Sequence, residues 1–141
     1  MKLSAETLTV LKNFASINSN IVFREGSNIK TMSEAKNILA SANVTEQFPS
    51  EFGIYDLNEF LGVLSMFDDP NLEFSDDNTH VRITEGTRSV KYFFSDPNIL
   101  TSPTKDIQMP PTEVDFVLKD DDLTALRRAA STMSVSDVVI E

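Results

Sequence analysis

Few residues in this chain carry catalytic chemistry, and their spacing assembles none. His80 is the one histidine, and cysteine is absent. That excludes a multi-histidine metal site, a thiolate zinc site and a thiol nucleophile. No serine sits in an elbow motif near His80, so there is no triad. His80 falls in a predicted strand and reads as a structural or surface residue. Asp76, Asp77 and Asn78 resemble half a calcium loop, but the required glycine and distal glutamate are missing, and a hairpin turn explains them better. Asp120, Asp121 and Asp122 are explained better by helix capping than by a cation. There is no phosphate-binding glycine loop. Phe93 and Phe94 offer rings for base stacking, but a sheet core is the better place for at least one of them.

The cations are more informative. With residues placed at about 100° per position, Lys12 falls on the polar side of a helix with Thr9, Asn13 and Ser16. Arg127 and Arg128 fall on the polar side of another with Thr124, Ser131 and Thr132. Two readings stand. These are solvated surface charges, or they belong to one surface that meets phosphates without reading bases. The chain has 12 Lys and Arg against 22 Asp and Glu, a net charge of −10. Taken alone that opposes DNA binding, because affinity for phosphates comes from cations. Placement of the cations is therefore the deciding question.

The elements that must position them are legible. Ser4 caps a helix over residues 5–17, with Leu8, Leu11, Phe14 and Ala15 as its buried face. Residues 21–24 and 29–32 flank the turn Glu25-Gly26-Ser27-Asn28 and predict a β-hairpin. Residues 38–44 predict a further strand. At residues 51–67, a short strand around Phe52 and Ile54 gives way at Asp56, a good N-cap, with Glu59 completing a capping-box pattern. Leu57, Phe60, Leu61, Leu64 and Phe67 then recur at helical spacing. The polar side of this second helix holds Asn58, Gly62 and Ser65, with no cation. Asp68-Asp69-Pro70-Asn71 ends it. Strands follow at 72–74, 80–84 and 88–94, with turns at Asp76-Asp77-Asn78 and Glu85-Gly86.

Residues 96–112 contain four prolines and no period, which predicts an extended linker. Ile107 and Met109 are its residues able to anchor it to a sheet. Beyond it, Val114, Phe116 and Leu118 alternate as a strand. Asp120 to Asp122 cap a helix whose apolar face is Leu123, Leu126, Ala129, Ala130 and Met133. Val135, Val138, Val139 and Ile140 begin another strand. A capped helix followed by strands thus recurs three times, from Ser4, Asp56 and Asp121, which suggests pseudo-symmetry. The organisation expected is α+β, with a first domain at 1–95, a linker at 96–112 and the start of a second domain at 113–141. No apolar run approaches the roughly 20 residues of a membrane span. The absence of cysteine and of an apolar leader favours a reducing, cytoplasmic setting.

The ordered set MKLS with LKNFASINS at 11–19, IYDLNEFLGVLS at 54–65, and the linker from Asp96-Pro97 through Pro103, Lys105, Ile107 and Pro110 carries a resemblance. So does the helix opening at Asp121, Asp122 and Leu123. The chain resembles the DNA polymerase sliding clamps (processivity factors) of T-even-type tailed phages, along its whole length. The resemblance implies a DNA-clamp fold of repeated helix-plus-antiparallel-sheet units, with no enzymatic activity and no cofactor. In such rings three subunits close around duplex DNA, with helices lining the hole and sheets outside. An ATP-driven clamp loader opens the ring. The replicative DNA polymerase and late-transcription factors dock through short hydrophobic tails. The resemblance implies that Lys2, Lys12, Arg127 and Arg128 face DNA, with Lys119 secondary, and that Ile107 and Met109 lie near the partner-tail site. It implies residence in the cytoplasm of the infected bacterial host. Members of the family are longer, with a complete second domain, so the expectation for this shorter chain is that it does not close the normal trimer. The alternative is an acidic α+β module that binds protein and never encircles DNA.

Overall fold

Ser4 opens the first helix, α1 (Ala5–Ala15), by accepting from Thr7 N at 3.1 Å. The structure, a computed structural model, describes residues 1–103 and 111–139. It divides into two units, Met1–Asp106 and Ile107–Glu141.

In the first unit α1 is followed by β1 (Ile21–Phe23), β2 (Gly26–Met32), β3 (Leu39–Phe48) and β4 (Phe52–Ile54). Helix α2 (Leu57–Leu64) comes next, then β5 (Asn71–Phe74), β6 (His80–Glu85) and β7 (Arg88–Phe93). Asp56 caps α2 by accepting from Glu59 N at 3.0 Å, as the capping pattern predicts. Leu57, Phe60 and Leu64 are buried, and Asn58, Gly62 and Ser65 are exposed.

The hairpin expected between 21–24 and 29–32 does not form. β1 pairs antiparallel with β4, Ile21 opposite Ile54 and Phe23 opposite Phe52, while β2 pairs with β3. Burial explains the exchange. Every residue of β1 and of β4 is buried, so each needs a partner hidden on both faces. β2 and β3 alternate between more and less buried positions, as half-buried strands do. Gly26, at φ +113°, turns the chain from one pairing into the other, a conformation open to glycine without strain.

The last three strands form an antiparallel sheet in the order β5-β6-β7. The turn Asp76 to Asn78 and the Gly86 turn stand where predicted, with Asn78 and Gly86 at positive φ. Leu72, Val81 and Ile83 from this sheet join Leu11 and Phe14 of α1 and Leu57, Phe60 and Leu64 of α2 in one core. Phe52 sits at its centre. Its ring centroid lies 4.7 Å from that of Phe23, 4.5 Å from Phe94 and 5.3 Å from Phe74. Phe94 is thus the core member of the Phe93-Phe94 pair, and Phe93 is exposed.

In the second unit α3 (Asp120–Met133) forms as expected. Its cap is Lys119, which makes no side-chain capping bond; Asp120, Asp121 and Asp122 occupy the first turn rather than the cap, where they still oppose the positive end of the helix dipole. The strands expected at 114–118 and from Val135 are absent among the described residues. Val114, Phe116, Leu118, Val135, Val138 and Val139 are exposed. Alternation assigns a strand its two faces, but a strand exists only where a neighbour supplies ladder bonds. The third repeat therefore consists, among the described residues, of its helix alone.

Candidate nucleic-acid interface

The polar stripe of α1 is built as its spacing predicts: Thr9, Lys12, Asn13 and Ser16 are exposed, while Leu11 and Phe14 are buried. α1 packs beside α2, and a cleft of about 160 Å³ opens between them. Leu3, Leu8, Leu61, Leu64 and Phe67 line it, and Lys12, Ser65, Asp68 and Asp69 stand around it. Lys12 forms no ion pair with a described residue. Lys2 does, with Asp69. An exposed pair of this kind is weak, but it places a carboxylate beside the Lys2 charge.

What orients α1 is a residue that local sequence does not announce. Glu46, on β3, is 8% exposed. Its carboxylate accepts from Ser4 N, from Thr7 Oγ1 at 2.5 Å and from Thr45 Oγ1 at 3.2 Å. It satisfies donors that the helix start leaves open. Burial alone would raise its pKa, but the bonds from Thr7 and Ser4 prevail and the net shift is downward. The only hint in sequence is an acid at an inward position of an alternating strand.

A second set of polar residues ties residues 95–103 to the first unit. Ser95 N donates to Gly53 O at 2.9 Å, and a short 3-10 turn follows at Pro97–Ile99. Thr101 N donates to Asn20 Oδ1 at 3.1 Å. Arg24 Nη1 donates to Pro103 O at 3.0 Å, and Arg24 Nε reaches Glu51 at 3.3 Å. Asn18, 4% exposed, donates to Met32 O at 2.8 Å and to Thr101 O at 3.4 Å. Spacing does not reveal the ties from Asn18, Asn20 and Arg24 to this segment, because the partners lie about 80 positions away.

The other candidates belong to the second unit. Arg127 and Arg128 are exposed on α3 and form no ion pair with a described residue. Arg128 shares a helix face with Asp121, Thr124, Ala125, Ala129 and Thr132. Lys119 stands at the N-terminus of α3, where the dipole disfavours a cation. Ile107 and Met109 lie outside the described residues. Among the described residues no group of three or more His, Asp or Glu is arranged to hold a metal. No described helix is long and apolar enough to cross a membrane.

A protein-family model described as DNA polymerase processivity factor matches residues 4–98, from the cap of α1 through the whole first set of strands. The chain belongs to the DNA polymerase processivity factor family. It is 35% identical over 144 positions to the sliding clamp of Vibrio phage KVP40, an alignment covering 99% of this chain and 64% of that one. It is 33% identical over 141 positions to the sliding clamps of Escherichia phage RB69 and Enterobacteria phage T4, covering 99% of this chain and 61% of each. The chain therefore spans somewhat under two thirds of the length of these relatives. Family members are processivity factors rather than enzymes. The helix-plus-antiparallel-sheet architecture agrees with that membership.

Proposed function

We propose that this chain serves in a sliding clamp that surrounds duplex DNA and tethers the phage replicative polymerase. The observation that carries the reading is Lys12: a cation with no ion-pair partner among the described residues, on the polar stripe of α1 with Thr9, Asn13 and Ser16, in a protein of net charge −10. A clamp must be held on DNA yet free to move along it. That calls for a few weak, sequence-independent phosphate interactions and no base readout. An acidic exterior discourages DNA from adhering elsewhere. Lys12, Arg127 and Arg128 are assigned to the DNA side, with Lys2 and Lys119 contributing less because of Asp69 and of the α3 dipole. Ile107 and Met109 are assigned to partner binding. In the complete clamp three subunits form the ring, an ATP-driven loader opens it, and late-transcription factors share the docking site for polymerase.

The test is retention on circular duplex DNA, measured against salt for the assembled clamp. Replacing Lys12, Arg127 and Arg128 with Ala lowers the salt slope by about 0.9 for each phosphate no longer neutralised. Retention with an unchanged slope would remove these residues from the DNA side. Light scattering across a concentration series gives the assembly state of this chain: a monomer or dimer agrees with the expectation that it does not close the trimer, and a mass of three chains overturns that expectation.

A further inference from the structure

We propose that the outward face of the β5-β6-β7 sheet docks an acidic polypeptide segment, held by Arg82, Lys91 and the ring of Phe93. Register puts Arg82 directly opposite Lys91 across the β6-β7 pair, with His80 opposite Phe93. Leu72, Val81 and Ile83, the alternate residues of β5 and β6, are in the core. Arg82, Lys91 and Phe93 therefore share the other face. All three are exposed, Phe93 by 67%.

Two cations directly opposite on neighbouring strands repel, and opposite charges are the stable choice there. Neither Arg82 nor Lys91 has an ion-pair partner among the described residues. Glu73, which stands opposite Arg82 on β5, is bonded to the Asn71 amide at 3.3 Å instead. Arg88, also on β7, provides the contrast. It pairs with Glu85, donates to Met66 O at 3.2 Å and lies 5.3 Å from the centre of the Phe67 ring. Arg88 is used within the fold; Arg82 and Lys91 are not. A cation pair that no described carboxylate bridges, next to an exposed aromatic ring, complements an acidic segment that also carries an apolar side chain.

The charges around the patch favour a polypeptide over nucleic acid. Glu73 continues the Arg82-Lys91 row. Asp56 and Glu59 lie with Lys91 and Phe93 around one recess beside β7. A phosphate backbone, charged at every residue, would be driven against these carboxylates. A peptide carries its charges only at chosen positions.

The experiment is fluorescence anisotropy of a labelled short peptide of Asp and Glu with one Leu and one Phe, titrated with the full chain. A labelled duplex DNA is titrated in parallel. The peptide binds, and binding weakens with salt. Arg82→Glu and Lys91→Glu each weaken it by up to about tenfold. The Tm of Lys91→Glu matches or exceeds the parent's, because the change turns the repulsive Arg82-Lys91 pair into an attractive one; Arg82→Glu gains the same attraction but faces Glu73 with a like charge, so its Tm does not rise. Lys91→Gln, which removes charge without reversing it, weakens binding by a smaller factor. Failure of the peptide to bind, or equal binding by all the variants, overturns the proposal. So does duplex binding that Lys91→Glu abolishes, since the face would then serve phosphates.

Discussion

Glu46 closes the N-terminus of α1 by accepting the Thr7 hydroxyl at 2.5 Å, across 39 positions of sequence. The same carboxylate accepts from Ser4 N. One acid on β3 thus joins the strand to the helix that carries Lys12, and the helix start is held by tertiary structure as well as by its own Ser4 cap.

Replacing Glu46 with Ala leaves the Thr7 hydroxyl and the Ser4 amide without this acceptor. The expected loss is about 1–3 kcal/mol of folding stability, read from urea unfolding. Glu46→Gln, which keeps one acceptor oxygen, loses less. Its pKa is lowered in the folded state, so its contribution is complete above its ordinary value near 4.5 and is lost as pH falls through and below that value. The parent should lose stability on acidification more steeply than Glu46→Gln. Parallel pH profiles for the two proteins would refute this.

Gly53 is required for its lack of a side chain. A Cβ there would lie 2.6 Å from Leu100 Cδ1 and 2.7 Å from the Ser95 carbonyl oxygen. Gly53→Ala must displace the 95–100 segment or strain it, at a cost of about 1–3 kcal/mol. Faster limited proteolysis near residues 95–103, with the rest of the first unit still protected, is the expected result.

Phe52 joins rings from three directions, Phe23, Phe74 and Phe94. Phe52→Ala should cost about 3–5 kcal/mol. A Phe52→Leu variant keeps most of the volume and should lose less. Equal losses in thermal unfolding would mean that the ring packing contributes little beyond bulk.

Tyr92 governs alkaline behaviour. Burial, and then the negative charges of Glu59 and Asp56, push its hydroxyl up to about 12, from 10.0. Its hydroxyl donates to Asp56 O at 3.3 Å. The folded state holds the proton more tightly than the unfolded chain, so stability falls as pH rises from 10 towards 12. Tyr92→Phe loses a bond worth about 1 kcal/mol at neutral pH and should show a shallower alkaline decline. Absorbance titration of the tyrosines supplies an independent check.

The sequence by itself determined the three helices, the Ser4 and Asp56 caps of the first two, and their exposed faces. Ser4 and Asp56 act within three residues of themselves, and the 3.6-residue period of Leu11-Phe14 and of Phe60-Leu64 is a local property. It also indicated the β5-β6-β7 meander, through the turn residues at Asp76-Asp77-Asn78 and Glu85-Gly86 and the alternation of the strands they join. The ordered residues of α1, the α2 region and the linker carried enough information to indicate the clamp family.

Only the tertiary structure decided which of the earlier strands pair. β1 joins β4 rather than β2 because both are buried along their whole length, and the competition among partners is settled by burial rather than by proximity in sequence. The caps and ties from Glu46, Asn18, Asn20 and Arg24 are equally nonlocal. Charge on a helical wheel shows that Lys12 faces outward; it does not show that Lys2 meets Asp69. In the second unit, alternation at Val114-Phe116-Leu118 specified faces for a strand, and no neighbouring strand among the described residues pairs with it. A helix satisfies its own backbone, so α3 forms alone. A strand must be completed by another, and sequence period carries no information about which.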